Sequence, residues 1–168
     1  MTTPEPTLRT RHYIDGLASR IAGKLALTPG EDLTAIVTRL GGELVLREWH
    51  HDRDEGSIKV RSASDFTIYL SPFTGPLRDR FTVAHELGHY FLHSLAGRKP
   101  IQVIRRGSSA VEWEANWFAA AFLMPAQDFK DSWDSCEGKI EALAAHFYVS
   151  TDAIESRRRY LSSLSTFS

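Results

Sequence analysis

The chain has 168 residues, with 20 basic and 21 acidic side chains, a net charge of -1, 42% hydrophobic and 24% charged residues, and one cysteine. That length suits about one domain, and folding at this size buries about 70% of the exposed surface, so neither a metal nor a disulfide is required to supplement a small core. The composition excludes a wholly disordered or collagen-like chain; the balanced charge gives no global field toward nucleic acid or an acidic membrane; and Cys136 alone forms no intrachain disulfide, which suits a reducing, cytoplasmic compartment.

Residues 1–10 are polar and rich in Pro and Thr, and are expected to be loose, with no apolar run that would make a signal-peptide core. Residues 11–168 then read as a single domain without an internal linker. Ile14, Leu17, Ile21 and Leu25 recur at helical spacing, so an amphipathic helix is expected from Arg11 to near Leu27. Thr28, Pro29 and Glu31 offer a capping hydroxyl, a first-turn proline and a returning carboxylate, which predicts a second helix from there to the stop at Gly41 and Gly42. The period then changes. Strands are expected from Leu44 to Trp49, from Ile58 to Arg61 and from Phe66 to Leu70, joined by short polar turns as an antiparallel meander. A long helix from Leu77 to about Leu95 follows, then a loop through Arg106 with a short strand at Ile101 to Ile104. A helix from Ala110 to Met124 is broken by Pro125, and three short helices fall near 126–133, 139–147 and 151–163. No stretch approaches the roughly 18 apolar residues of a membrane span. The expected class is α+β: N-terminal helices, a small three-stranded antiparallel sheet, one central helix and a helical C-terminal part.

The central helix carries His85-Glu86-Leu87-Gly88-His89. Residues four apart are rotated by only about 40°, so His85 and His89 stack on one face where two imidazoles can bind one ion. Zinc suits that pair, because it takes neutral imidazole nitrogens and keeps an open position for a water in catalytic sites. Glu86 lies about 100° round from His85, beside such a water instead of on the metal, where a general base is needed. Phe81, Val83, Ala84, Leu87, Tyr90 and Leu92 make the same helix strongly apolar, so buried polar groups on it require partners.

A catalytic site needs a third protein ligand. Leu92 and Leu95 stand where one large protease class would have a glycine and a third histidine, so a carboxylate from another helix is expected instead. Glu112 follows His89 by 23 residues, with Asn116 four positions on along the same face, placed to steady a ligand by its amide. Glu114 is the second choice for the ligand, and a capping box with Ser109 is the competing role for Glu112.

RFTVAHELGHYFLH at 80–93 and EWEANWFAAAFLMP at 112–125 resemble the ImmA/IrrE family of small zinc metallopeptidases, and the layout of elements is similar over about 15–163. The resemblance implies a zincin-like fold, zinc on His85, His89 and Glu112, Glu86 as catalytic carboxylate, and helix-turn-helix transcriptional repressors as substrates. The alternative from another class is a binding protein that sequesters a regulator, or forms half of a toxin-antitoxin pair, without proteolysis.

Weaker signals complete the reading. His93 continues the histidine ladder and is expected to support a ligand or pack in the core. Phe66, Ile68 and Tyr69 lie in the strand just before the metal helix and are candidates for holding a substrate backbone as an added strand. Tyr69, Tyr90, Arg61 and His146 are candidate oxyanion donors. Residues 143–159 resemble a helix-turn-helix with Tyr148 where glycine is usual, but 138–160 carries only four basic against three acidic residues, so no direct nucleic-acid binding is expected.

Overall fold

The computed structural model describes residues 1–47, 56–104 and 108–164. The expected end of the first strand at Trp49, the turn after it and the loop at Arg106 lie outside the described residues.

Helix α1, Arg11–Lys24, starts where Thr10 accepts a hydrogen bond from the Tyr13 amide at 3.1 Å, and it buries Ile14, Ala18 and Ala22. Helix α2 is only Thr34–Arg39. The expected start at Pro29 fails because Gly30 turns left-handed at φ 75°, a conformation that ends a helix. Glu31 does return to the Thr28 amide at 2.8 Å, but it closes a separate turn, and Asp32 instead takes the Thr34 amide at 2.9 Å.

Four strands form one mixed sheet in the order β1-β3-β2-β4: β1 Gly42–Leu46, β2 Gly56–Ser62, β3 Asp65–Leu70 and β4 Ile101–Ile104. The expectation of three antiparallel strands is corrected in number and direction, since β1 runs parallel to β3 and β2 is antiparallel to both β3 and β4. Burial explains the order. Phe66, Thr67, Ile68 and Leu70 are all buried, which suits an interior strand, whereas β1 carries the exposed Glu43 and Leu46 and suits an edge. Gly42 is needed opposite Phe66, because a Cβ there would stand 2.3 Å from the Phe66 ring.

Helix α3, Pro76–Gly88, opens with its proline in the first turn and then passes at His89–His93 into one π-helical turn, marked by the Ser94 amide reaching back five residues to the His89 carbonyl at 3.0 Å. The single α-helix expected through Leu95 therefore changes its hydrogen bonding at His89. Leu95, Ala96 and Gly97 end it in left-handed conformations. Helix α4, Ala110–Leu123, is followed by α5 Ala126–Ser135, α6 Ile140–Phe147 and α7 Thr151–Ser163. Helix α4 packs along both α1 and α3, and the Phe118 and Phe122 rings stack 5.5 Å apart within the core. Residues 1–10 are tied to the body along their length: Thr2 pairs in parallel with Ile101 on β4, Glu5 lies 3.5 Å from Lys99, and Thr7 and Leu8 hydrogen-bond to Glu114 on α4. The class is α+β, with seven helices among the described residues, and no described helix is long and apolar enough to cross a membrane.

Candidate metal centre

Helix α3 presents His85 and His89 one turn apart, and α4 brings Glu112 to them. The His85 and His89 Nε2 atoms are 3.1 Å apart; the Glu112 carboxylate lies 3.0 Å from the first and 3.4 Å from the second. His85 and His89 are buried, while Glu112 is partly open to solvent. Ser109 caps α4 by accepting from the Glu112 amide at 3.4 Å. The cap and the carboxylate's approach to the histidines are compatible, because the cap uses the backbone of Glu112 and leaves its side chain available.

The atoms behind the cluster decide where the imidazole protons sit. Asn116 Oδ1 stands 2.8 Å from His85 Nδ1 and accepts its proton, so the neutral ring has its lone pair at Nε2, facing Glu112 and His89, whereas the protonated ring donates from Nε2 to Glu112 at 3.0 Å. His93 Nε2 donates to Glu114 at 2.9 Å, its Nδ1 faces His89 Nδ1 at 3.0 Å, and the His89 Nε2 lone pair is thereby turned to the same point. Burial, with the neighbouring His89, pushes the His93 pKa down to about 4 and keeps this ring neutral. Burial works against ionisation of Glu112, but hydrogen bonds and charge from His85 and His89 outweigh it and hold the carboxyl well below its ordinary range. Burial likewise opposes a charge on His85, and Glu112 and Glu86 outweigh it, raising that imidazole above its ordinary value.

Two lone pairs and one carboxylate converging on a point describe a cation site. The two imidazole nitrogens lie 3.1 Å apart, one carboxylate oxygen of Glu112 stands 3.0 Å from His85 and the other 3.4 Å from His89, and one ligand atom from each residue lies within 4.8 Å of the others, close enough for all three to reach one cation. Glu86, the next residue after His85, is fully buried.

Other sequence candidates lie elsewhere. Strand β3 is paired on both sides, and Phe66 and Ile68 are buried in the core, so neither Phe66, Ile68 nor Tyr69 offers a free sheet edge to a substrate. Tyr69 instead lies under the Arg47 guanidinium, 4.1 Å from its ring centre. Tyr90 donates its hydroxyl to the Ala63 carbonyl, and Arg61 is engaged by Asp65 and Thr67. Sequence reasoning missed Thr7 and Leu8, whose amides bind Glu114 at 2.9 Å. No local signal could have found them, because they stand more than a hundred residues from their partner.

A family profile described as the IrrE N-terminal-like domain, Peptidase_M78, matches residues 47–158. Among solved structures, a Mycobacterium tuberculosis transcriptional regulator is similar with a TM-score of 0.59 at 19% identity, covering 88% of this chain and 47% of that one. The chain thus spans about half the length of that regulator, and at this identity the likeness concerns the fold. No curated protein matches the chain. The match takes in β2, β3 and β4, the histidine helix and Glu112; the chain belongs to the IrrE N-terminal-like peptidase family, the ImmA/IrrE group.

Proposed function

We propose that this chain is a zinc-dependent endopeptidase of zincin-like fold that cuts a protein partner in the cytoplasm, with helix-turn-helix transcriptional repressors as the substrate class. The observation that carries the reading is the meeting of the His85 and His89 Nε2 atoms with the Glu112 carboxylate, one ligand atom from each lying within 4.8 Å of the others. His85, His89 and Glu112 would hold the ion, leaving one position open. Zinc bound there would supply Lewis acidity, polarising a peptide carbonyl and making a water easier to deprotonate.

The chain's own residues supply the rest. Glu86 projects from the same helix turn as His85 and receives the proton of the attacking water at its carboxylate. It then returns that proton to the departing amine, so its net charge is restored after each turnover. Asn116 and His93 fix the two imidazoles from behind, which keeps the ligand lone pairs directed inward before substrate arrives. The repressor assignment rests on the family resemblance.

The deciding experiment incubates the zinc-loaded protein with purified helix-turn-helix repressors from its own source, with Glu86→Gln in parallel, and reads intact mass. New fragments with the unsubstituted protein alone support a peptidase and locate the bond. Equal fragmentation by Glu86→Gln removes Glu86 from the mechanism. A stable stoichiometric complex without fragments favours sequestration of the regulator.

A further inference from the structure

We propose that Glu114 and His93 are positioning residues for the metal ligand His89, and that the backbone of Thr7 and Leu8 anchors them. The proposal rests on the metal-centre reading above and adds to it a dependence on the N-terminal segment.

The two histidine ligands are supported differently. His85 is held directly by Asn116 of α4, whereas the rear nitrogen of His89 meets another imidazole, His93, one turn further along. An imidazole can donate or accept, so His93 orients His89 only if its own proton is fixed. Glu114 fixes it. A carboxylate accepts and never donates, so the 2.9 Å contact places the proton on His93 Nε2 and leaves its Nδ1 as an acceptor for His89 Nδ1–H.

Glu114 must in turn be immobile. Its Oε2 takes the Thr7 amide and its Oε1 takes both the Thr7 hydroxyl and the Leu8 amide, all at 2.9 Å. With His93 on Oε2, each oxygen has two donors. Consecutive amides turned on one carboxylate form a concave anion cradle. Leu8 holds a left-handed φ of 58° while its side chain is 84% exposed, so side-chain burial does not hold that backbone in place. Capture of the carboxylate is what retains it. The path Thr7 and Leu8 to Glu114 to His93 to His89 therefore runs from the N-terminal segment to His89 in three contacts.

The test measures zinc affinity by competition with a chromophoric chelator and the visible spectrum of the cobalt-substituted protein, with circular dichroism in chelator as the folding control. His93→Leu and Glu114→Ala are expected to weaken zinc binding by about 10–100-fold and to alter the cobalt spectrum. His93→Asn, whose amide oxygen can accept at the place of Nδ1, is expected to retain affinity within a few-fold, and adding Glu114→Ala to it should then cost nothing more. A purely structural role for Glu114 would persist in that background. Leu8→Pro removes one cradle amide and forbids the positive φ at an exposed position, so it decides the matter if the buried variants fail to fold; it should weaken binding, and Leu8→Gly should not. Wild-type affinity and spectrum in folded His93→Leu, Glu114→Ala and Leu8→Pro would overturn the anchor. His85→Ala and Glu112→Ala separate the two failures: if these also bind zinc normally, it is the metal centre that is wrong.

Discussion

Gly88 of α3 lies so close to Ala115 of α4 that a Cβ at position 88 would stand 3.1 Å from the Ala115 Cα and 3.1 Å from its carbonyl oxygen. His85 and His89 sit three before and one after Gly88; Glu112 and Asn116 sit three before and one after Ala115. The contact is therefore the point about which the two ligand-bearing turns face each other. Gly88→Val would force α3 and α4 apart. We expect a loss of about 1–3 kcal/mol of stability from overpacking, measured by urea unfolding in chelator, together with weaker zinc binding. Unchanged zinc affinity in a destabilised Gly88→Val protein would show that the helix spacing does not set the site.

Arg157 is fully enclosed, donating to the Met124 carbonyl at 2.9 Å and to both carboxylate oxygens of Asp15, so it joins α7, the end of α4 and α1. Removing one partner leaves a buried charge alone, which costs about 3–5 kcal/mol, whereas replacing both with apolar residues is often neutral. Asp15→Leu should therefore destabilise strongly, and Asp15→Leu with Arg157→Met should recover most of the loss in a urea double-mutant cycle. Additive losses would mean that the pair is not coupled.

The closeness of His85 and His89 was legible because their spacing is local: four residues along one helix fix a shared face whatever the rest of the chain does. The arrival of Glu112 beside them was legible less directly, through a second helical block whose Asn116 follows Glu112 by one turn. The parallel pairing of β1 with β3 was not legible, since alternation of residues reports which face a strand buries and not which neighbour it takes. The near-continuous burial along Phe66 to Leu70, a mark of an interior strand, emerges only in the fold, because Thr67 and Tyr69 make the segment read as alternating in sequence. The helix expected at Pro29 failed on Gly30, whose left-handed turn overrides a sound capping pattern. The bond from Leu8 to Glu114 had no sequence signature at all, being a matter of tertiary closure.

Stability should fall with acidification over a defined range. Burial, aided by the charge at His89, takes His93 from 6.5 down to about 4. Between those values the unfolded chain binds a proton that the folded chain refuses, so the contribution is complete above pH 6.5 and is lost as pH falls through 4. The loss amounts to roughly 3 kcal/mol. Burial raises the Glu114 pKa, but hydrogen bonds from Thr7 and His93 outweigh it and leave it lowered, so its contribution has the same sign at lower pH. In chelator, urea unfolding of the unsubstituted protein should show a steeper decline from pH 7 to pH 4 than His93→Asn. Parallel declines would remove His93 as the source.

The left-handed turn at Tyr148, φ 54°, between α6 and α7 gives the C-terminal part the outline of a DNA-reading motif, yet one of its cations is buried and two others are paired with carboxylates at the surface. Of the three consecutive arginines, Arg157 is buried against Asp15 and Arg158 lies 3.1 Å from Glu155, while Lys139 lies 3.1 Å from Glu137. Arg159 is the most open of the three to solvent. Each phosphate neutralised contributes about 0.9 to the dependence of log affinity on log salt, so a surface with so few available cations should bind duplex weakly and with a shallow salt slope. Fluorescence anisotropy with a labelled duplex at about 50 mM salt should therefore show no binding in the low micromolar range. Tight binding with a steep salt slope, abolished by Arg159→Ala, would instead make α7 a nucleic-acid surface and the peptidase centre one part of a DNA-bound regulator.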